Sequence, residues 1–211
     1  MLEMINSMAR TPKIVEDRRE QIIDAAMRAF SQKGFTRATN KDIAREASIT
    51  PGLIYYYFES KEALLKAIIE TRSPIRLMTT LPSHMLTMPP QLFLRFMIQQ
   101  VLGIIESENF VGLIRVFLPE VMHGDNPEMT SILGGTILRI IGFLGNYLET
   151  KMQNGELRQA DVPLTTQVIL GSLMAFVLRR QIIRDPIALA FSHEQIADSI
   201  VETVLEGLLP R

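Results

Sequence analysis

The chain has 211 residues, a length that suits one compact body or two small ones sharing a core. Apolar residues make up 47% and charged residues 21%, so a hydrophobic core is available and wholesale disorder is excluded. The absence of cysteine excludes disulfides, thiol chemistry and thiolate metal sites. The net charge of −1 hides an asymmetry, because nine Lys/Arg and five Asp/Glu between Arg10 and Arg45 give that end +4. Such an end suits a polyanionic partner, although many imbalances of this size are ordinary solvated surface.

The N-terminus does not resemble a signal peptide, because Glu3, Asn6 and Ser7 interrupt any apolar core. The longest apolar run, Val168–Leu178, has 11 residues and is too short to cross a bilayer. We therefore expect a soluble, cytoplasmic protein without a membrane partner.

Capping residues organise the first third of the chain into short helices. Residues 1–10 are expected to form a disordered arm, and Gly34 is expected to end the first helix. Each start combines a capping side chain with a following proline or acid. The predicted helix starts are Thr11-Pro12, Thr39 with Asp42, Thr50-Pro51 and Ser60.

Longer apolar helices are predicted after the proline-rich stretch Leu81–Pro90. They are Gln91–Glu106, Phe110–His123, Pro127–Gln153, Asp161–Arg184 and Ser192–Leu209. Strand signals are almost absent. The predicted fold is therefore all-α with about nine helices. A helix-turn-helix domain at 11–73 would precede a helical ligand-binding and dimerisation domain at 74–211.

Two short helices, Thr39–Ala47 and Thr50–Phe58, have the spacing of a helix-turn-helix. Stepping about 100° per residue predicts two faces for the second helix. The face toward the first helix holds Pro51, Ile54, Tyr57 and Phe58, and the outward face holds Gly52, Leu53, Tyr55 and Tyr56. Tyrosines and a leucine directed at water are unusual for a surface but suit a DNA groove. Packing of the tyrosine rings under the fourth helix is the alternative.

The segment Gly34–Leu65 resembles the DNA-binding domain of the TetR (tetracycline-repressor-like) family. The matching residues are Gly34-Phe35, Thr39, Ile43-Ala44, Ala47, Ile49–Gly52, Ile54–Phe58, Ser60–Glu62 and Leu64. Ser48 stands where the family usually has a turn glycine, so the turn must be made without the freedom of glycine at positive φ. The resemblance implies DNA contacts by Thr39, Thr50, Gly52, Leu53, Tyr55, Tyr56 and Lys61.

Three more residues join the predicted DNA surface. Lys41 and Arg45 share one side of the first helix of the helix-turn-helix, where they could straddle a phosphate backbone. Pro51 begins the second helix. Lys61 begins a helix, where its charge opposes the helix dipole, and a bound phosphate would explain that placement.

The C-terminal two-thirds resemble the family in layout only, which implies a divergent ligand-binding and dimerisation domain. The apolar side chains of Val168–Leu178 point in every direction, so this helix is expected to be buried all round. The family pairs the last two long helices with their copies in a four-helix bundle. The predicted interface comprises Val168, Gly171, Leu173, Ala175, Ile196, Ile200, Val204 and Leu208.

An adaptable apolar pocket is predicted among the aromatic and methionine side chains of the same domain, although ordinary core is the alternative for each. The candidates are Phe93, Phe96, Met97, Phe110, Phe117, Met122, Phe143, Tyr147, Met174 and Phe176. We expect a small hydrophobic effector, no cofactor and no metal site, because the three histidines lack ligand spacing.

The function predicted from these features is that of a homodimeric repressor, which binds a palindromic operator and is released by its effector. Whether the protein represses or activates is left open by the sequence. An enzyme or ligand carrier built on the C-terminal helices is the rival, although no nucleophile-elbow or phosphate-loop motif is present.

Overall fold

The computed structural model describes residues 2–108, 110–114, 117 and 126–206, with side chains from Val15 onward. All regular structure in these ranges is helical and no strand occurs among them, which confirms the all-α prediction. The chain divides into two compact units, Met1–Arg72 with Gly112–Ile132 and Ser73–Val111 with Leu133–Arg211. The arm at 1–10 and the domain boundaries at 11–73 and 74–211 remain predictions.

The N-terminal unit begins with a long helix followed by three short ones. They are α1 (Leu2–Lys33), α2 (Asn40–Glu46), α3 (Pro51–Tyr57) and α4 (Lys61–Arg72). Their core includes Ile22, Ile23, Phe30, Phe35, Ile43, Ile54, Leu64, Leu65 and Ile68, all almost fully buried. Burying each such side chain contributes about 1.5–3 kcal/mol, which holds these short helices against α1.

Most of the predicted helix ends agree with the structure. Gly34 follows the last residue of α1 with a φ of 79°, which glycine adopts without strain. Thr39 and Asp42 form the predicted reciprocal capping box of α2. The start predicted at Thr11-Pro12 is wrong, because helical backbone begins at Leu2. A proline removes one hydrogen bond and can bend a helix without ending it, so the Thr-Pro pair permitted a start without requiring one.

The C-terminal unit contains the long helices that the sequence predicted, to within a few residues. Its elements are α5 (Ile75–Thr80), a 3₁₀ segment (Ser83–Thr87), α6 (Pro90–Ile105), α7 (Pro127–Gln153), α8 (Val162–Val177), a π-helical segment (Leu178–Ile183), α9 (Pro186–Ala190) and α10 (His193–Glu206). The first residues of α7, up to Ile132, belong to the N-terminal unit. The helix predicted at Phe110–His123 is helical at 110–114 and Phe117, and its other residues lie outside the described ones.

Apolar side chains from α6, α7, α8 and α10 form one core in the C-terminal unit. Phe93 stacks on Tyr147 with ring centroids 4.0 Å apart. The capping boxes and turns again follow the sequence: Ser192 N–H donates to Gln195 Oε1 at 2.9 Å, and Gly155 ends α7 with a φ of 75°.

Helix α8 is not buried all round, contrary to the sequence prediction. Ile169, Leu173 and Val177 face the core, whereas Val168 and Met174 are exposed. Two described helical stretches, Pro127–Gln153 and Val162–Ile183, are long and apolar enough to cross a membrane. Length and composition alone are weak evidence, because helices of soluble proteins meet the same criterion. The exposed side of α8, which includes Val168 and Met174, is an apolar face that no described residue covers in a single chain.

Candidate functional site

The turn between α2 and α3 has the left-handed conformation that the family usually gives to glycine. Ser48 adopts a φ of 53°, and the following Ile49 N–H donates to Ala44 O at 2.9 Å. A non-glycine residue in this region costs about 1 kcal/mol. Ser48 therefore adopts the positive φ that glycine usually supplies at this turn, and the folded state is less stable by that amount.

Helix α3 exposes most of the face predicted to be outward. Tyr55 and Tyr56 are 61% and 77% exposed, whereas Ile54 is buried against the rest of the unit. Leu53 is half-buried. The prediction that Pro51 faces α2 is wrong, because Pro51 is exposed at the first position of α3. A residue in the first turn of a helix has no preceding turn beside it, so a simple angular projection overstates its burial.

Gly52 lies in open space on this exposed face. A Cβ atom built at Gly52 would meet no atom within 4 Å. The fold itself therefore has no packing reason for glycine here, although glycine costs a helix about 1 kcal/mol relative to alanine. A close external partner for the α3 backbone would account for the residue.

A polar network fixes the start of α2. Thr39 Oγ1 donates to Asp42 Oδ2 at 2.8 Å, and the Thr39 N–H donates to the same oxygen at 3.1 Å. Lys33 Nζ pairs with Asp42 Oδ1. The hydrogen bonds from Lys33 and Thr39 hold the pKa of Asp42 well below its usual range, so this carboxylate stays ionised in the folded protein. The predicted DNA residue Thr39 is therefore also a structural cap.

Cationic and hydroxyl side chains remain available beside α3. Lys41 is exposed, and the side chain of Arg45 is 76% exposed while its Nη1 lies 3.5 Å from Asp42. Thr50 is the N-cap residue of α3 but makes no side-chain capping hydrogen bond. These three residues precede the exposed tyrosines in the sequence and supply the charge and donors that a phosphate backbone requires.

Helix α1 braces the helix-turn-helix through contacts that the sequence did not predict. Gln21 Nε2 donates to the Ala47 carbonyl oxygen at 2.8 Å, where α2 ends. Arg72 Nη2 reaches from α4 to Glu20 at 2.6 Å and to Asp24 at 2.8 Å. The spacing of two acids four residues apart on α1 was the available signal, but their partner lies 48 or more residues away.

Lys61, the first residue of α4, is engaged within the protein. Its Nζ donates to the carbonyl oxygens of Phe35, Thr36 and Ala38 at 2.8, 3.2 and 3.3 Å. The same ammonium lies 4.5 Å from the centroid of the Phe35 ring. A phosphate contact, as the resemblance implies, would have to compete with these bonds.

An apolar cavity of about 70 Å³ lies in the C-terminal unit. The structure places three of the ten predicted pocket residues on its wall: Phe93, Met97 and Phe143. Tyr147 is instead buried behind Phe93, and its hydroxyl donates to Met88 O at 3.4 Å. Phe96, Phe110, Phe117, Met174 and Phe176 lie elsewhere, and Met122 lies outside the described residues.

Sequence reasoning missed the aliphatic part of this wall. The additional lining residues are Pro74, Met78, Leu94, Ile98, Val101, Ile140, Leu144, Ile169, Leu170 and Leu173. The helical spacing of Leu94, Ile98 and Val101 on α6 could have predicted this part of the wall. The predicted pocket candidates comprised only aromatic and methionine side chains. Among the described residues that line the cavity, none carries a charged or hydrogen-bonding side chain.

The predicted interface residues fall into two groups. Val168, Gly171 and Ala175 are exposed on α8, and Val204 is half-buried on α10. Leu173, Ile196 and Ile200 are buried in the core of the single chain, where Leu173 is only 6% exposed. Their interface role remains a prediction, and Ile200 also lines the groove described below. The apolar stripes of α8 and α10 are wide enough to supply both the core and an outer face. The sequence alone could not tell which apolar residues belong to each. Leu208 lies outside the described residues.

A shallow groove follows the exposed stripe between α8 and α10. Its volume is about 360 Å³. It is lined by Arg158, Thr165, Val168, Ser172, Phe176, Ser199, Ile200, Thr203 and Val204. The groove opens on the surface of one chain and joins the two helices that were predicted to pair with their copies.

A buried polar cluster closes the end of α6. Arg180, in the π-helical segment, pairs with Glu106 and donates to the carbonyl oxygens of Ala188 and Phe191, both at 2.7 Å. His193 Nε2 lies 2.8 Å from the other Glu106 oxygen. Burial opposes ionisation of Glu106, but the hydrogen bonds from Arg180 and His193 outweigh it and lower its pKa. No group of three His, Cys, Asp or Glu among the described residues is placed to hold a metal ion.

Profiles of known protein families match both the N-terminal and the C-terminal part of the chain. Residues 22–68 match the profile of the bacterial regulatory proteins of the tetR family, and residues 93–207 match that of the AefR-like transcriptional repressor C-terminal domain. The transcriptional regulator HbdR of Aromatoleum sp. (strain CIB) is 48% identical over 63 residues, or 30% of this chain and 28% of that protein. The regulator UidR of Escherichia coli (strain K12) is 27% identical over 158 residues, or 72% of this chain and 76% of that protein.

A solved structure shows the same fold over most of the chain. The SmeT–triclosan complex is 20% identical and superposes with a TM-score of 0.73, covering 92% of each chain. The matched relatives are transcriptional regulators and not enzymes. The chain belongs to the TetR family and is a DNA-binding helix-turn-helix transcriptional regulator.

Proposed function

We propose that the protein is a cytoplasmic homodimeric repressor that binds a palindromic operator and is released by a small, uncharged hydrophobic effector. The observation that carries the DNA-binding part is the surface of α3, where Tyr55 and Tyr56 are exposed beside the open backbone of Gly52. Two copies would place two such helices in successive major grooves, about one turn of DNA apart. The residues proposed to contact DNA are Thr39, Lys41, Arg45, Thr50, Pro51, Gly52, Leu53, Tyr55, Tyr56 and Lys61.

The DNA-binding proposal is tested by replacing Gly52 with alanine. No atom opposes the added methyl group inside the protein, so we expect an unchanged or slightly higher melting temperature. The same methyl group would hold α3 away from DNA, so affinity for an operator selected from a random duplex pool should fall at least about tenfold, which is 1.4 kcal/mol. Fluorescence anisotropy gives the affinity.

Gly103→Ala is the matched control for this substitution. Gly103 is an exposed glycine of α6, and a Cβ atom there also meets nothing within 4 Å. It should gain the same helix propensity without changing operator affinity. Wild-type affinity in Gly52→Ala would contradict the proposed reading surface.

The dimer is proposed from the unpartnered apolar face of α8. Val168 is 56% exposed, and the stripe continues through Gly171 and Ala175 to Leu178. Monomers rarely leave contiguous apolar surface of this kind uncovered. A second copy of α8 and α10 would cover it and fill the groove between them. Light scattering of the wild type should give a dimer, and a stable monomer would contradict the interface.

The effector site is proposed at the apolar cavity. Its wall offers no partner for a charge, and an unpaired carboxylate or ammonium group is costly to bury. The cavity of about 70 Å³ is roughly half the size of the ~150 Å³ apolar cavities that bind benzene. Met78 and Met97 would therefore have to move, which methionine side chains do readily. The related SmeT was solved with triclosan, a hydrophobic aromatic compound.

The proposed effector site also suggests how release could be transmitted. Pro74 and Met78 lie on the cavity wall, and α5 follows the last residue of α4 after two residues. Displacement of α5 by an effector would be passed along the chain to α4. Binding that favours a second arrangement of the reading helices is enough to lower operator affinity.

A pair of probes of similar shape and different charge tests the effector class. 1-Naphthol should raise the melting temperature and release operator, whereas 1-naphthoate should do neither because its carboxylate finds no partner. Met97→Ala should change the shift produced by 1-naphthol. Met152→Ala is the matched control, because Met152 is buried in the same core but does not line the cavity. A stronger response to the carboxylate would contradict the assignment.

A further inference from the structure

The outward side of α8 continues into the π-helical segment as one apolar line, which we call the α8 seam. Its six exposed residues follow one another at alternating steps of four and three: Leu164, Val168, Gly171, Ala175, Leu178 and Ile182. This is the spacing by which one helix packs along another. Stepping about 100° per residue places the seam opposite Ile169 and Leu173, which are buried in the core. The seam is therefore directed away from its own unit.

The order of side-chain sizes along the seam reads the same in both directions. Large residues occupy both ends, and the two small residues occupy the middle. If a second copy of the seam runs in the opposite direction, a two-fold axis level with Leu173 matches large with large and small with small. The pairs are Leu164 with the partner's Ile182, Val168 with the partner's Leu178, and Gly171 with the partner's Ala175.

Gly171 has no packing role within the single chain. A Cβ atom built there would meet no atom within 4 Å. Glycine inside a helix nevertheless costs about 1 kcal/mol relative to alanine. In the antiparallel pair Gly171 would lie where the two backbones are closest, and the missing side chain would permit that approach.

The charges at the two ends of the seam favour the antiparallel direction. Asp161 is the exposed N-cap residue of α8, and its Oδ1 accepts a hydrogen bond from the Leu164 N–H at 2.8 Å. Arg184 is exposed directly after the π-helical segment. Antiparallel pairing brings Asp161 towards the partner's Arg184 and also opposes the two helix dipoles. Parallel pairing would place like charges at the same end.

The neighbouring helix α10 does not offer an outward face of the same kind. Its exposed side includes Ser199, Glu202 and Thr203, which are polar. A second copy of α10 would therefore leave the apolar seam without a matching surface. A second copy of the seam matches it in size, polarity and charge.

We propose that two copies of α8 pair in antiparallel directions across a two-fold axis level with Leu173, with the α10 helix of each copy beside the pair. The inference rests on the proposed homodimer, to which it adds the direction and the register of the helices. Val168 then meets the partner's Leu178, and Gly171 marks the point where the helices cross.

Disulfide cross-linking tests the register directly, because the chain contains no cysteine of its own. Coexpressed Val168→Cys and Leu178→Cys chains should form a linked dimer under mild oxidation, measured on a non-reducing gel. Neither variant alone should link, because two copies of the same residue would be offset by about 15 Å along the pair. A disulfide requires Cα atoms within about 7 Å. Leu92→Cys, at an exposed leucine of α6, is the control and should not link to Leu178→Cys.

A substitution at Gly171 tests the close approach of the two helices. Gly171→Leu meets open space in the single chain, so each subunit should remain folded and should gain helix propensity. The added side chain should separate the helices, and the dissociation constant of the dimer should rise about tenfold or more. Gly103→Leu, at an exposed glycine of α6 with equally open surroundings, should leave it unchanged. Analytical ultracentrifugation measures the constant, and a wild-type value for Gly171→Leu overturns the proposal.

The state of the wild-type protein separates the failure of this register from the failure of the dimer. A wild-type monomer in light scattering rejects the proposed dimer and the register together. A wild-type dimer in which Val168→Cys links to itself retains the dimer but shows parallel helices. A wild-type dimer in which the coexpressed cysteine variants stay unlinked shows that another surface forms the contact. Either of these last two results overturns the antiparallel pair.

Discussion

In the N-terminal unit, the short helices are connected by specific polar bonds, whereas in the C-terminal unit the long helices meet through apolar side chains. Lys61 binds three backbone carbonyls, Gln21 caps the end of α2, and Arg72 joins α4 to α1. In the other unit, Phe93 stacks on Tyr147 inside a core that is almost entirely apolar. Short helices bury less apolar surface than long ones, so in the N-terminal unit directional bonds add to the apolar core in fixing their positions.

The C-terminal unit also contains polar links, such as the ion pair of Arg95 on α6 with Asp198 on α10. Arg180, Glu106 and His193 join the end of α6, the π-helical segment and the start of α10. One face of α8 packs in the core of this unit, and the opposite face is exposed in a single chain. The comparison therefore predicts that equal substitutions have unequal effects, depending on whether they meet directional bonds, apolar core or open surface.

The largest difference is expected between two charged substitutions on α8. Leu173 is buried, so Leu173→Glu should destabilise the subunit by roughly 4 kcal/mol or more, because the new carboxylate has no partner. Val168 is largely exposed in one chain, so Val168→Glu should change the stability of the subunit by within about 0.5 kcal/mol and yield a folded monomer.

Circular dichroism combined with light scattering checks both substitutions. Leu173→Glu should lose helical signal, and Val168→Glu should keep it at half the wild-type mass. If the two variants behave alike, the division of α8 into a core face and an interface face is wrong.

A smaller effect is expected where the N-terminal unit meets DNA. Tyr55 is exposed and faces the proposed base edges, so Tyr55→Ala should cost roughly 1–3 kcal/mol on the operator and less on random DNA. Tyr56→Ala should weaken both by a similar factor, because its hydroxyl is proposed to meet phosphate. Anisotropy with operator and scrambled duplexes measures the ratio. Equal losses on both duplexes for Tyr55→Ala would contradict base readout.

Lowering the pH should reduce the stability of each unit through one carboxylate, Asp42 in the N-terminal unit and Glu106 in the C-terminal unit. The pKa of Asp42 is lowered chiefly by Lys33, and the pKa of Glu106 is lowered by Arg180 and His193 against the effect of burial. A carboxylate with a lowered folded pKa stabilises the protein above its unfolded pKa and loses that contribution as the pH falls. The unfolded value for Asp42 is 3.8, so its contribution should be complete at neutral pH and decline below about pH 4.

Urea unfolding at about pH 7 and about pH 3 checks this dependence in wild type, Asp42→Asn and Glu106→Gln. Each variant should be less stable than wild type at neutral pH, and the difference should narrow in acid. A difference that stays constant with pH would show that the substitution acts through shape and not through the charge.

The sequence was most informative where one residue has one local consequence. Gly34, Thr39 with Asp42, and Ser192 with Gln195 mark helix ends through bonds within a few residues, and the structure places them as predicted. The short helices α5 and α9 were missed, because five or six residues show too little periodicity.

Residues whose roles depend on distant partners could not be placed from the sequence. Lys61 carries the family motif, but its acceptors lie 23 to 26 residues earlier in the chain. The two sides of α8 are equally apolar, so periodicity could not tell that Leu173 faces the cavity and Val168 faces outward. Motif and composition thus identified the surfaces, and packing decided which side chain serves each.

The smallest effect is expected from relieving backbone strain, and it occurs once in each unit. Ser48 and Arg184 are the non-glycine residues with positive φ among the described residues, at 53° and 55°. Ser48→Gly and Arg184→Gly should each stabilise the protein by about 0.5–1 kcal/mol, after allowing for the greater freedom of glycine in the unfolded chain. For a chain of this size the melting temperature should rise by about 2 °C. Ser131→Gly, at an exposed position inside α7, should instead lose about 0.5 kcal/mol, because its backbone is already helical. Calorimetry of the three variants compares them, and a loss of stability in both Ser48→Gly and Arg184→Gly would show that neither turn is strained.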